Sequence, residues 1–344
     1  MRNQNLTSSD EKLAGLHAYH LLTLHSIGET TLYEPENVLN TNSRAAVRNT
    51  AGAGAGLFAL TDFFVGELVL REAPFACVPA YGGAGGDGDL RRIVEDLEDG
   101  AKRTFYALAD KNVADVRGAL AKSQEKSIRG IVDTNGLPMG DAVVDECESE
   151  GWRLPPSAGL YAKMCRVNHS CAPNVHHQWN ATICRQELRA IRKIQKGEEI
   201  LTTYFDGAGM TREERHALQL KKWNFRCACS KCSLEGDALA VCDARDVEIA
   251  RLDAGIAIIA PFDPEKALRY AKRRVKLLVE DGGADPVELA RTEHDAYRIC
   301  LKLGNEVEAH DWLFRAYRHS KIARGSLAPQ TKRFKRLLDV YLAT

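Results

Sequence analysis

Three cysteines fall within one short turn, Cys227-Ala228-Cys229-Ser230-Lys231-Cys232. Thiolates so spaced can wrap a single Zn²⁺, and a closed structural site completes its tetrahedron with a fourth ligand. Residue type leaves Cys171, Cys242, His176 and His177 as candidates for that fourth position. A catalytic zinc keeps an open position and favours histidine or carboxylate ligands, so a triple-cysteine turn predicts a structural ion. The chain has 10 cysteines and no apolar signal-peptide core after Met1-Arg2-Asn3-Gln4-Asn5. In a reducing compartment, clustered thiols read as metal ligands rather than disulfides.

The elements that must hold these groups are short. Gly66-Glu67 reads as a turn inside the apolar run Phe63–Glu72 and feeds a strand. Strands are expected at Val175–Trp179, Thr182–Cys184, Leu188–Ile191 and Glu199–Tyr204, with turns at Pro173-Asn174, Trp179-Asn180 and Lys196-Gly197. That spacing predicts small antiparallel sheets, not an alternating parallel α/β fold. Gly82–Gly88 reads as a surface loop, and Leu90 to about Ile131 as helical and charged. A short helix is expected around Lys12–Leu24. Beyond Cys242, Asp263-Pro264 and Asp285-Pro286 each start a helix, and a third carries Ala309, Trp312, Leu313, Ala316 and Tyr317 before Gly325.

At 344 residues and 38.0 kDa the chain is long enough for two domains. Lys+Arg and Asp+Glu balance at 47 each, which argues against a chain held to nucleic acid or anionic membrane by bulk charge. No run approaches the roughly 18 apolar residues of a membrane span. The expectation is a soluble intracellular monomer, cytoplasmic, nuclear or both.

Arg166-Val167-Asn168-His169-Ser170-Cys171-Ala172-Pro173-Asn174 precedes Gly197-Glu198-Glu199-Ile200-Leu201-Thr202-Thr203-Tyr204, and the cysteine turn follows. In this order the sequence resembles the SET-domain protein lysine methyltransferases, whose signature is N-H-S-C with P-N, then G-E-E-[LI] leading to a tyrosine, then C-x-C-x-x-C. Gly54-Ala55-Gly56-Leu57-Phe58-Ala59 matches the family's N-terminal element. The resemblance is nearest to the SET-and-MYND group and relatives that lack the MYND finger, through Thr134-Asn135-Gly136-Leu137-Pro138. Residues 59–131 contain only Cys77, too few cysteines for that finger.

The resemblance implies an α+β chain. An N-terminal extension (1–49) precedes a SET β-fold of small antiparallel sheets (50–206) with a helical insertion about 82–150. A post-SET zinc segment (207–236) and a helical C-terminal domain (237–344) follow. It implies methyl transfer from S-adenosylmethionine to a protein lysine, with histones among the candidates; a catalytically silent, peptide-binding or scaffolding SET module is the alternative. Gly54, Ala55, Gly56 and Leu57 would let backbone approach the donor, although the Gly-Ala flank also reads as a linker. Asn135 and Asn168 would pair a zwitterionic amino acid group, His169 would act mainly through its backbone, and Phe225 would pack on adenine. Trp223 would wall the lysine channel, at a position where the group more often has tyrosine. Tyr204 would be catalytic, orienting the amine, and would also border the donor. Cys171 would join Cys227, Cys229 and Cys232 around zinc. Glu198 and Glu199 read as a solvated turn and a structural ion pair rather than as acids.

Overall fold

The computed structural model describes residues 44–50, 54–79, 86–113, 125–139, 157–280 and 285–343; the helix expected around Lys12–Leu24 lies outside them. Two compact units divide the chain, one built on Arg71–Arg166 and Gln178–Glu187, the other on Ser43–Leu70, Val167–His177 and Leu188–Thr344.

In the second unit, β1 (Ala45–Thr50) pairs antiparallel with β2 (Gly54–Ala59), from Ala45↔Ala59 to Thr50↔Gly54. β10 (Glu199–Thr202) is antiparallel to β2 and parallel to β7 (Asn168–His169), giving the order β1-β2-β10-β7. Alternation along the strands decides which face is dry: Leu57, Ala59 and Ile200 are fully buried. The register sets Leu201 opposite Asn168 and Thr202 opposite His169, so Tyr204 leaves the sheet just beyond the histidine. A further three-stranded sheet has the order β3 (Leu68–Glu72), β9 (Arg185–Ala190), β8 (Val175–Asn180).

The strand expected at Thr182–Cys184 is a turn. Asn180 Oδ1 accepts the Thr182 N–H at 3.2 Å and Cys184 takes φ 50°, so the chain reverses and β9 starts only at Arg185.

The first unit carries the sheet β4 (Ala76–Pro79), β6 (Ser157–Leu160), β5 (Leu137–Pro138). Helices α1 (Asp87–Glu95), α2 (Asp99–Ala107) and α3 (Ile128–Asn135) belong to the same unit. Val78, Leu90, Phe105, Leu108, Ile131 and Leu160 form one buried cluster there. Asp87 and Gly88, expected in the glycine loop, open α1, with Gly86 as N-cap and its N–H on Asp89 Oδ2 at 3.2 Å. Glu72 accepts the N–H groups of Ala162, Lys163 and Met164, which fixes the turn entering Met164–Arg166; burial nevertheless holds its carboxyl above the ordinary value.

Among the described residues, six helices complete the second unit. α4 (Arg212–Trp223) starts in a capping box between Thr211 and Glu214 and ends at Asn224 in the left-handed region, φ 57°. α5 (Gly236–Ile259), α6 (Pro264–Glu280), α7 (Pro286–Lys302), α8 (Glu306–Arg324) and α9 (Pro329–Ala343) follow. Ala267, Ala271, Ala296, Leu313 and Phe334 lie at the centre of this core. Among the described residues no helix is long and apolar enough to cross a membrane.

A buried charge network ties α6 to α7. Arg274, 1% exposed, bonds Glu288 Oε2 at 2.5 Å and also Thr292, and Arg291 meets the same carboxylate at 2.7 Å. Glu288→Ala leaves buried Arg274 with only the Asp253 carboxylate at 3.4 Å, so urea denaturation is expected to show a loss of about 3 kcal/mol, the low end for breaking a buried pair. A change under about 1 kcal/mol would contradict this account.

Burial also pushes His177 in β8 and His294 in α7 down to about 4. Folding therefore favours the neutral imidazoles, against an unfolded value of about 6.5. Their contribution is complete above about pH 6.5 and is lost as pH falls toward 4. The urea midpoint should drop between pH 7 and pH 5, and the drop should shrink in His294→Phe.

Candidate active site

Glycine at position 56 makes the first contact possible. A Cβ there would collide with the Glu199 carboxylate and come within 3.1 Å of Asn168 Nδ2, so only a bare backbone lets β2 and these side chains share the space. Asn168 Nδ2 donates to Glu199 Oε1 at 2.8 Å and reaches Ala55 O at 3.4 Å, which fixes the orientation of its carboxamide. Glu198 makes the ion pair with Arg192 at 2.6 Å, and hydrogen bonds outweigh its desolvation, holding the carboxyl below the ordinary value. Glu199, by contrast, sits within the site as the partner of Asn168.

Tyr204 is half-buried in an aromatic cluster. Its ring lies 5.2 Å from His169, 5.5 Å from Trp223 and 6.3 Å from Phe225. Phe205 stacks on both His169 and Trp223, at 5.1 and 6.0 Å. The left-handed cap at Asn224 turns the chain after α4 and brings Phe225 to 5.7 Å from His169. The Tyr204 hydroxyl donates to Val167 O at 2.9 Å. With its proton committed there, the phenol oxygen faces any approaching amine as a hydrogen-bond acceptor.

His169 does more than its backbone. Its Nδ1 accepts the Tyr204 N–H at 3.1 Å, so the neutral ring carries its proton on Nε2, which lies 3.3 Å from Cys171 Sγ.

The sulfurs of Cys171, Cys227, Cys229 and Cys232 all lie within 4.8 Å of one another, with 3.5 Å between Cys171 and Cys232. A tetrahedron with Zn–S of about 2.3 Å has an edge of about 3.8 Å, so the four fit one zinc. Cys242, by contrast, is buried in α5, His176 stacks on His177, and His177 bonds Thr202 at 2.9 Å. Hydrogen bonding with Cys171 pulls the Cys227 thiol down and brings Cys229 to about 5, while Cys171 is pushed up. Four thiols this close ionise together only when a cation neutralises them.

Helix α4 lays one face against this cluster. Arg215, buried, bonds Asp246 at 2.9 Å and approaches Cys232 Sγ at 4.0 Å; His216 Nε2 meets Cys227 O at 3.1 Å; Gln219 reaches Cys171 and Cys227. Lys231 closes on the same Asp246 at 2.8 Å. Beside the cluster a cavity of about 100 Å³ is lined by Pro173, Thr203, Phe205 and Asp206 from the sheet side, and by Asp246, Asp285 and Glu288 from the helices.

Asn135 lies in the first unit. Its Nδ2 donates to Ala109 O and Ile131 O, both at 2.7 Å, and so secures the end of α3. Sequence reasoning passed over Gln219, and it read Glu199 as a turn or ion-pair residue where the structure makes it the partner of Asn168. The parallel register of β7 and β10 is the signal that would have drawn Glu199 in, and the i, i+4 pairing with Arg215 on a polar helix would have drawn in Gln219.

Residues 54–205, the segment that carries this constellation, match the SET domain family model. The chain is similar to "Histone-lysine N-methyltransferase set5" of Schizosaccharomyces pombe, 34% identical over 151 residues, 43% of this chain and 46% of that protein. It is 30% identical over 151 residues to human "N-lysine methyltransferase SMYD2", 42% of this chain and 29% of that protein. Against mouse "Histone-lysine N-methyltransferase Smyd1" it is 32% identical over 187 residues, 50% of this chain and 33% of that protein. The matched segment spans less than half the length of each of these relatives.

Proposed function

We propose that the chain is a protein-lysine N-methyltransferase that uses S-adenosylmethionine, with a structural zinc held by Cys171, Cys227, Cys229 and Cys232. The observation that carries this reading is the Tyr204 hydroxyl, held by Val167 O among His169, Phe205, Trp223 and Phe225, two residues beyond the strand whose Glu199 pins Asn168 against Gly56. The exposed Gly54 and half-buried Ala55, the carboxamide of Asn168 and the ring of Phe225 fit a donor that joins an amino acid to a nucleoside. When bound, S-adenosylmethionine would supply an electrophilic methyl group.

The residues of the chain do the rest. Tyr204 accepts a hydrogen bond from the lysine amine and turns its lone pair along the channel, and positioning of this kind supplies much of the rate in a direct displacement. Trp223 and Phe205 exclude water from the aliphatic stem. A lysine side chain in water titrates near pH ~10.4, so roughly one in 10³ is neutral at pH 7. An aromatic channel disfavours the charged form and enlarges that fraction. Cys171, Cys227, Cys229 and Cys232, holding zinc, would fasten the N-H-S-C segment to the post-SET turn and so keep Phe225 beside His169.

The acceptor is a lysine side chain of a protein, with histones among the candidates. The C-terminal helices line one side of its approach, a reading supported by the cavity that Asp206, Asp285 and Phe205 share. Asp206→Lys should raise KM for basic peptides several-fold and leave donor affinity within about twofold.

The deciding assay follows labelled methyl incorporation into a lysine-containing protein pool, then hydrolysis to identify methyl-lysine. A protein that binds the donor yet labels no pool above background is a silent SET module, and the enzymatic reading then fails.

A further inference from the structure

We propose that Gln219 is a positioning residue whose single carboxamide joins the two halves of the cysteine site and, through His169, sets the backbone of Tyr204. The kinetic part rests on the methyltransferase reading; the metal and backbone parts do not.

The geometry fixes which way the amide faces. Gln219 is fully buried, and the Cys227 N–H donates to its Oε1 at 3.0 Å. Nε2 must then point the other way, where it donates to Cys171 Sγ at 3.4 Å and lies beside His169 Nε2, 3.1 Å away, as a second donor and not as its hydrogen-bond partner. Because His169 Nδ1 accepts from Tyr204, His169 Nε2 bears a proton and is turned to the same sulfur at 3.3 Å. Cys171 Sγ therefore receives two N–H donors, one from the helix and one from the ring that seats Tyr204.

Two consequences follow from chemistry alone. Donors to a thiolate lower the energy of its lone pairs and orient the ligand, and outer groups of this kind commonly change metal affinity about 10–100-fold. The sulfur in turn fixes the ring plane of His169, because Nε2–H loses its acceptor geometry if Cys171 turns. The cysteine cluster and the Tyr204 backbone are then two ends of one chain of hydrogen bonds, Cys227 N–Gln219–Cys171–His169–Tyr204 N. A helix residue that is itself no part of the aromatic cluster would thereby hold the phenol in place.

Gln219→Leu removes both polar atoms at nearly constant volume; Gln219→Glu keeps an acceptor for Cys227 and removes the donor to sulfur. Three readouts separate the claims. Competition with a chelator should show zinc held about 10–100-fold more weakly in Gln219→Leu. In the cobalt(II)-substituted protein, the sulfur-to-metal charge-transfer band should move to longer wavelength in both variants. In ¹⁵N-labelled protein, the Tyr204 amide proton should shift upfield and exchange faster as its bond to His169 loosens. With a working acceptor, kcat should fall about tenfold while donor affinity stays within about twofold.

An unmoved band and unchanged zinc affinity in a folded variant would overturn the contact with Cys171. A moved band with an unmoved Tyr204 amide would overturn the relay. If Gln219→Leu does not fold, the band and the amide in Gln219→Glu decide. Absence of methyl transfer by the parent protein would refute the enzymatic reading while the spectra still decide this one.

Discussion

Tyr204→Phe should abolish most methyl transfer, by roughly 10²-fold or more in kcat, and leave binding of S-adenosylmethionine within about twofold. Removal of one preorganised hydrogen-bonding group at a reacting centre typically has an effect of this order. The substitution deletes only the oxygen that donates to Val167 O at 2.9 Å; the ring contacts with His169, Trp223 and Phe225 remain. Asn168→Ala should behave in the opposite way. Its carboxamide would pair polar groups of the donor, and losing it should cost about 1–3 kcal/mol of donor binding. The same change also deprives Glu199 of its 2.8 Å partner. Loss of kcat in one variant and of donor affinity in the other marks separate steps. Calorimetry with donor alone, beside single-turnover methyl transfer, makes the distinction. Equal loss of donor affinity in both variants would refute the assignment of Tyr204 to the chemical step.

The second large effect is Cys229→Ser. The freshly purified protein should contain one zinc per chain, and the variant substantially less. Zinc bound by thiolates is coupled to folding, so the variant should also melt earlier and lose protection in residues 225–235. The ligands must be deprotonated to bind, so the metal is held at neutral pH and released as protons compete on acidification. Elemental analysis and hydrogen exchange read both outcomes. Zinc-free parent protein with an ordered post-SET turn would refute the structural role.

Much of the candidate site was legible because its residues come in short ordered runs, Asn168–Cys171 and Cys227–Cys232 among them. The parts that escaped did so for identifiable reasons. Helix α5 presents apolar residues all round, with Ile249, Leu252 and Ile256 buried but Val247 and Ile258 exposed, so no one-sided stripe announces it. Helix α9 begins at Pro329 after a segment that reads as the end of the preceding helix. Asn180 overrode the strand pattern of Thr182–Cys184 by bonding its own neighbour's backbone. Glu199 and Gln219 gain their roles only from partners distant in sequence, Asn168 and Cys171, and no local spacing reports them.

The pairing of β7 and β10 beside β2 brings Asn168 to Ala55 across 113 residues of chain. The entropy of closing such a loop grows only logarithmically, so doubling its length costs about 0.6 kcal/mol. An insert between Ala59 and Asn168 can therefore lengthen, shorten or be exchanged for another module at little thermodynamic expense, provided the register Leu201↔Asn168 survives. A one-residue slip in that register, by contrast, would move Asn168 and His169 each to the other face of the sheet and dismantle the site at once. Grafting experiments on this chain should accordingly tolerate modules of different length in place of residues 82–150 only where they cover Val78 and Leu160 as Leu90, Phe105 and Ile131 do, while a single-residue deletion between Asn168 and Asn174 should not be tolerated.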